Sequence, residues 1–479
     1  MKKITKLVLG AFAVLALAPT MNAQRFLTEV FPTVNITMND SFGGNYSVLT
    51  GTPKMSKLSM DVYQPSGDVA TKRPLIILLH AGSYLPKGTN QLPFGDKSDS
   101  TIIELCNRFA KRGWVAVSMN YRLGWNPLAS TQEAKAKGII QAVYRSMQDA
   151  KACIRFFKKD AAGSNVYKVD TTQIVLGGDN SGGYTVLAAA ALNKVPELSY
   201  PKFLDGANQP FVSQAAWGDF DGNNGLYSYY SNPGHSSNFQ MVLNLGGAMG
   251  DTLWQEVGEI PMVAFHGVAD PLTPYGTGIV TVASTGDPII EVSGSGDFSK
   301  TADRLGNQAP MAGTYTDAYS VKAATLTSVK GLYPFYGAAN GFEPWAWYNK
   351  NDPFIANGNT INPLNSKARA SLYMDTIMGF FSPRAVAALG LDITTGIQEK
   401  DVKALVSISP VPAVDGINIS SSLPVNKVQM FDIVGKVILN RENLNDTNVR
   451  IDRAQLPAGL YFVSLQIGKE QVVRKVIFH

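Results

Sequence analysis

Five short apolar runs punctuate the chain between residues 74 and 267: PLIILLH, VAVSMNY, IVLGG, QMVLNLGG and PMVAFHG. Each closes on Gly, His or a polar turn. Between them lie stretches with helical spacing, TIIELCNRFAKRG, GIIQAVYRSMQDAKACIRFFKKD and GGYTVLAAAALNK. Runs that are apolar on both faces, separated by helices, predict a mostly parallel sheet covered by helices on both sides, an α/β domain over residues 24–396. In such sheets ligands bind beyond the carboxyl ends of the strands. The residues that follow each run are therefore where chemistry is expected.

The pattern changes at both ends. MKKITKLVLGAFAVLALAPTMNAQ has a basic head, an apolar run from Leu7 to Ala18 and a small-residue ending, which reads as a signal peptide over residues 1–23. The run is too short to serve as a spanning helix, which takes about 20 residues, and no other stretch approaches that length. After VSISPVPAVDG, short β-branched segments alternate with Gly, Asn, Asp and Pro, and no long helical pattern follows. This predicts a linker over 397–410 and a small β-sandwich over 411–479. The runs VQMFDIVGKVI, IDRAQLPAGLYFVSL and the ending RKVIFH resemble the C-terminal sorting domain of type IX secretion cargo. That resemblance implies the type IX machinery as a partner. It also implies passage through the periplasm to the outer surface or medium of a gram-negative bacterium.

Composition narrows the chemistry. With 42 basic and 37 acidic residues in 479, and Lys2, Lys3 and Lys6 inside the leader, the remainder is nearly balanced, which gives no electrostatic footprint for nucleic acid. Two Cys and four His exclude a Cys-rich metal module, and no phosphate loop, dinucleotide fingerprint or metalloprotease motif occurs; no cofactor and no metal are expected. Export permits a disulfide between Cys106 and Cys153, and two buried free thiols fit equally well.

Five segments in order resemble the α/β-hydrolase superfamily in its secreted carboxylesterase-like branch: LSMDVYQP, HAGSY, RGWVAVSMNYRLGW, the MQDAKACIRFF…IVLGG unit and PMVAFHGVADPLTPY. The resemblance implies an α/β-hydrolase fold. It also implies an oxyanion hole from the amides of Ala81, Gly82 and Ser181, a Ser nucleophile on a strained strand-to-helix turn, an acid at Asp270 and a His after it. The turn here reads LGGDNSGGY. Aligning both glycine pairs puts Asn180 at the nucleophile position. A shifted register puts Ser181 there instead, with Asp179 where the turn takes Gly. The late loop LYPFYGAANGFEPWAWY carries Phe342 where the His is expected, and a phenyl ring accepts no proton. After Asp270 the chain has one His, His479, at its last position. His80 and His266 are read as structural. His235 lies in an expected cap around residues 205–238, from which it could reach the site only out of the usual chain order.

Two of three triad positions thus hold residues that cannot serve. Loss of either group removes several decades of rate, on the order of 10⁶ in kcat. The sequence therefore points to an inert carboxylesterase-type scaffold that binds a carbonyl- or carboxylate-bearing small molecule. Two alternatives stand beside it. One is an active ester hydrolase using Ser181, Asp270 and a displaced His; the other is a structural surface protein with a closed pocket.

Overall fold

The computed structural model describes residues 24–391, 406–433, 435–467 and 470–479; the signal-peptide segment and residues 397–405 of the expected linker lie outside them. The chain divides into two compact units, 1–394 and 395–479.

Ten strands belong to the larger unit: β1 (Val34–Ser47), β2 (Lys54–Pro65), β3 (Arg73–Leu79), β4 (Val115–Met119), β5 (Val169–Asp179), β6 (Met241–Leu245), β7 (Met262–Gly267), β8 (Thr277–Thr281), β9 (Pro288–Ser293) and β10 (Leu332–Phe335). Eight of them form one sheet in the order β1-β2-β4-β3-β5-β6-β7-β10, and β8 and β9 form a separate hairpin. β1, β2 and β4 pair antiparallel; β4-β3-β5-β6-β7-β10 run parallel. This is the doubly covered, mostly parallel sheet that the runs of both-face apolar residues predict.

Alternation along each strand sends residues to two separate cores. Leu75, Ile77 and Leu79 of β3 and Ile174 and Leu176 of β5 pack on one face, with Phe157 of the helix Gln132–Ala162. Ile76, Leu78 and Val175 pack on the other, with the helices Ser100–Lys111 and Lys367–Leu389. The helix Ser100–Lys111 buries Ile102, Leu105, Cys106 and Phe109, the 3–4 spacing of one helical face. Cys106 lies in the second core and Cys153 in the first; both are free and buried.

Several charged residues of the sequence motifs brace this frame. Arg122, just past β4, meets Asp149 at 2.8 Å with both side chains almost fully buried. Asp61 of β2 holds Lys97 at 2.6 Å. Such pairs cost several kcal/mol of desolvation per ion and persist through their geometry and added hydrogen bonds. Arg122 also donates to the Arg145 carbonyl and to Gln148 Oε1.

The segment expected to form a cap is held by side chains of one helix. Residues 205–238 bond along the helix Gln132–Ala162. Lys137 bonds Asp205, Gln148 Nε2 bonds the Trp217 and Asp219 carbonyls, Arg155 pairs with Asp221, and Lys158 reaches the Asn238 carbonyl. Arg145 and Arg155 lie over the rings of Trp217 and Tyr230 at 4.9 and 4.4 Å, which fixes the segment by its aromatic residues.

The smaller unit is two antiparallel sheets. One is β11 (Val406–Ser409), β12 (Gly416–Val425) and β15 (Asp446–Asp452). The other runs β14 (Val437–Arg441), β13 (Lys427–Phe431), β16 (Gly459–Ile467) and β17 (Glu470–Phe478). Alternate residues such as Ile417, Ile419, Val428, Met430, Val463 and Leu465 fill the core between them. β11 falls inside the expected linker, so the sandwich begins earlier than its predicted start at 411. Among the described residues no helix is long and apolar enough to cross a membrane.

Candidate active site

The strand β5 ends at Asp179 and the helix Ser181–Ala191 begins two residues later. Asn180 alone makes the bend, with φ 46° and ψ −108°. Few residues other than Gly adopt that backbone, and holding one there costs on the order of 1–3 kcal/mol. The flanking glycines are required by contact. A Cβ on Gly178 would lie 2.1 Å from the Gly182 backbone, and one on Gly182 would lie 2.2 Å from the Leu79 carbonyl. The Asn180 amide N–H donates to the Leu245 carbonyl at 2.8 Å, tying the bend to β6. Its side-chain Nδ2 faces Thr273 Oγ1 at 3.5 Å, and Tyr184 donates to the same hydroxyl at 3.2 Å.

Ser181, the other candidate nucleophile, is engaged within the protein. Its hydroxyl accepts from the Ser83 amide at 3.1 Å and lies 3.2 Å from the Tyr121 hydroxyl. Tyr84 donates to its carbonyl at 2.6 Å. Ser181 is buried, and neither partner of its hydroxyl is an imidazole.

The loop expected to form the oxyanion hole turns through Gly82, Ser83 and Tyr84, all at positive φ (115°, 53° and 59°). A Cβ at Gly82 would meet Gly95 Cα at 2.6 Å, so glycine is needed there. Ala81 is buried against Phe94 and Phe342. His80 braces the loop: its Nδ1 donates to the Ala81 carbonyl at 2.6 Å, and its ring stacks on Tyr121 with centroids 4.3 Å apart. Burial pushes His80 down to about 4, so the ring is neutral.

Asp270, past the end of β7, accepts from the Leu272 and Thr273 amides at 2.8 and 3.0 Å. Burial raises it to about 7, the two amides lower it and the charge of Asp179 raises it further. His266 stands 3.8 Å from it, but the ring is spent: Nε2 donates to the Thr273 carbonyl at 3.1 Å and Nδ1 accepts from Ser295 at 2.7 Å. Burial lowers His266 to about 4 as well. His235 lies on the flanking segment, and its neighbours Ser237 and Asn238 bond Asp221 and Lys158. His479 is the last residue of the sandwich, its amide bonded to the Ala413 carbonyl.

In the loop after β10, Phe342 turns into an apolar cluster and stacks on Phe94 at 6.1 Å. The next residue, Glu343, has φ 36° and is buried beside acids. Burial, then the charges of Asp179, Asp270 and Asp99, push its carboxyl well above the ordinary range. Asp179 is also buried and raised by burial, and Trp345 Nε1 donates to its Oδ1 at 2.9 Å. Glu343 is the buried acid to which sequence reasoning gave no role, and Asp179 entered it only as a turn position. The available signal was a carboxylate one position beyond the expected base, in a loop otherwise apolar and aromatic.

Residues 60–280 match the BD-FAE family, an esterase-like α/β-hydrolase family, and residues 407–479 match the family described as secretion system C-terminal sorting domain. No curated protein matches the chain. Similar solved structures include esterase 2 of Thermogutta terrifontis phosphoramylated by tabun, at 16% identity and TM-score 0.37, covering 73% of this chain and 96% of that one. Another is the thermophilic esterase of that planctomycete with propionate bound, at 17% identity and TM-score 0.36, covering 73% and 96%.

Proposed function

From the premise that this exported chain joins an esterase-like α/β-hydrolase domain to a type IX sorting domain, we propose that it is a surface-directed scaffold that binds a small carbonyl-bearing molecule without hydrolysing esters. The observation that carries this reading is Asn180 at the φ 46° bend. A carboxamide nitrogen is delocalised and makes a poor nucleophile. Neither Asn180 nor Ser181 has an imidazole among its hydrogen-bond partners. The expected base position holds Phe342, and Glu343 beside it has a carboxyl raised by burial and by the charges of Asp179, Asp270 and Asp99.

The first amides of the helix Ser181–Ala191 have no intrahelical acceptors. Together with the Ala81 and Gly82 amides they are the donors that would meet the ligand's oxygen. A carbonyl ligand is favoured over a carboxylate, because an anion beside Asp179, Asp270 and Glu343 adds negative charge to a group of buried acids already raised by their burial and mutual charge.

The test is hydrolysis of p-nitrophenyl acetate and butyrate by the purified chain and by its Ser181→Ala variant. Both are expected to match the buffer rate. Turnover that Ser181→Ala abolishes would establish the alternative, an active hydrolase built on Ser181 and Asp270.

A further inference from the structure

Beneath the bend, between the helix Ser100–Lys111 and the loop after β10, lies a cavity of about 190 Å³. At about 30 Å³ per water it holds roughly six water-sized groups. Its lining carries four carboxyls, Asp99, Asp179, Glu343 and Asp352, against one cation, Lys87. Lys87 is already committed to Asp96 and Asp99, each at 3.3 Å. Asp179 has the Trp345 indole on one oxygen. Glu343 Oε1 is buried with no hydrogen-bond partner. The Tyr348 hydroxyl, on the same wall and buried, has Asn362 beside it but makes no directed hydrogen bond. A buried polar atom left without a partner costs about 1–3 kcal/mol, more for a charged group.

We propose that this cavity is a binding site for a small organic cation, a protonated amine or guanidinium, whose N–H groups bridge Glu343 and Asp179 while Phe94 and Tyr348 flank its carbon atoms. Donor and charge are both what the wall lacks. Among the described residues no group of three or more His, Cys, Asp and Glu is placed to hold a metal ion, and the apolar rings suit an organic occupant better than a bare ion. A neutral polyol would supply donors but leave the carboxyls uncompensated. Without an occupant, protons fill the role: burial raises Asp99 to about 8, with the Lys87 charge lowering and the Asp96 charge raising it, and moves Asp179 and Glu343 the same way. A cation that enters must therefore displace protons.

The proposal stands on the cavity and not on the inertness of the bend. An active hydrolase would defeat the preceding reading and leave this one in place. The test is calorimetric titration of the full chain with propylammonium chloride, with 1-propanol, glucose and sodium chloride as controls. Propylammonium is expected to bind and the controls are not. At pH 6 the binding heat is expected to vary with the ionisation heat of the buffer, which reports proton release. Glu343→Gln, and separately Asp179→Asn, are expected to weaken binding by at least about tenfold. Equal binding of propanol or glucose, unchanged affinity in a folded variant, absence of proton release, or no propylammonium binding at millimolar concentration would each overturn the proposal.

Discussion

Replacing Asp270 by Asn probes the buried acids through the pH dependence of stability. In the fold the Asp270 carboxyl is buried and raised from 3.8 to about 7. Between those pH values the folded state holds a proton that the unfolded state has released. Stability therefore falls as pH rises through that window, with a slope approaching about 1.4 kcal/mol per pH unit near pH 5–6. Integrated over the window, the carboxylate destabilises the fold by about 4 kcal/mol at pH 8 relative to pH 3. Asn keeps the shape and an oxygen to accept from the Leu272 and Thr273 amides. The charge-assisted part of those bonds exists only for the ionised carboxyl and is already contained in the net shift. The variant should thus nearly match the parent at pH 4 and exceed it by about 3–4 kcal/mol at pH 8. Part of that gain is relief from the Asp179 charge. Urea unfolding followed by tryptophan fluorescence measures this on one unit of the intact chain, because all six Trp lie between residues 114 and 347. Parallel stability profiles for parent and variant from pH 4 to pH 8 would refute the reasoning.

Three other changes test the frame and the bend by the same fluorescence or by hydrolysis. Arg122→Ala leaves Asp149 buried without its partner and should cost about 3–5 kcal/mol in urea unfolding, while a surface pair such as Lys194–Glu256 should be nearly silent when broken. Asn180→Gly relieves the φ 46° backbone at the cost of a more flexible unfolded chain, and should raise unfolding stability by about 1 kcal/mol. Asn180→Ser combined with Glu343→His should lift p-nitrophenyl acetate hydrolysis about a hundredfold above the parent, whereas Asn180→Ser alone should not, because it supplies a hydroxyl with no base.

Much of the sheet can be read from the sequence because strands buried on both faces leave an unmistakable run of apolar residues, as in β3 and β5. The bend is also readable, for a steric reason: Gly178 and Gly182 approach other backbone atoms so closely that no side chain fits at either position, which marks the tight strand-to-helix turn. The loop after β10 resists such reading. Its chain turns through a positive φ at Glu343, and one residue's difference there exchanges a phenyl ring for a carboxyl. Spacing alone does not register that turn. The segment 205–238 shows a contact that spacing does not carry. Two of its aromatic rings, Trp217 and Tyr230, take Arg145 and Arg155 over their faces, guanidinium groups from an earlier helix.

The sheet itself stands between Cys106 and Cys153, each sealed in its own layer. No rearrangement short of unfolding brings the two sulfurs together. Burial also keeps both as unreactive thiols, since the thiolate is the form that oxidises. A chain delivered outside the cell can therefore mature without any oxidoreductase, and reducing agents should leave its melting point where it was.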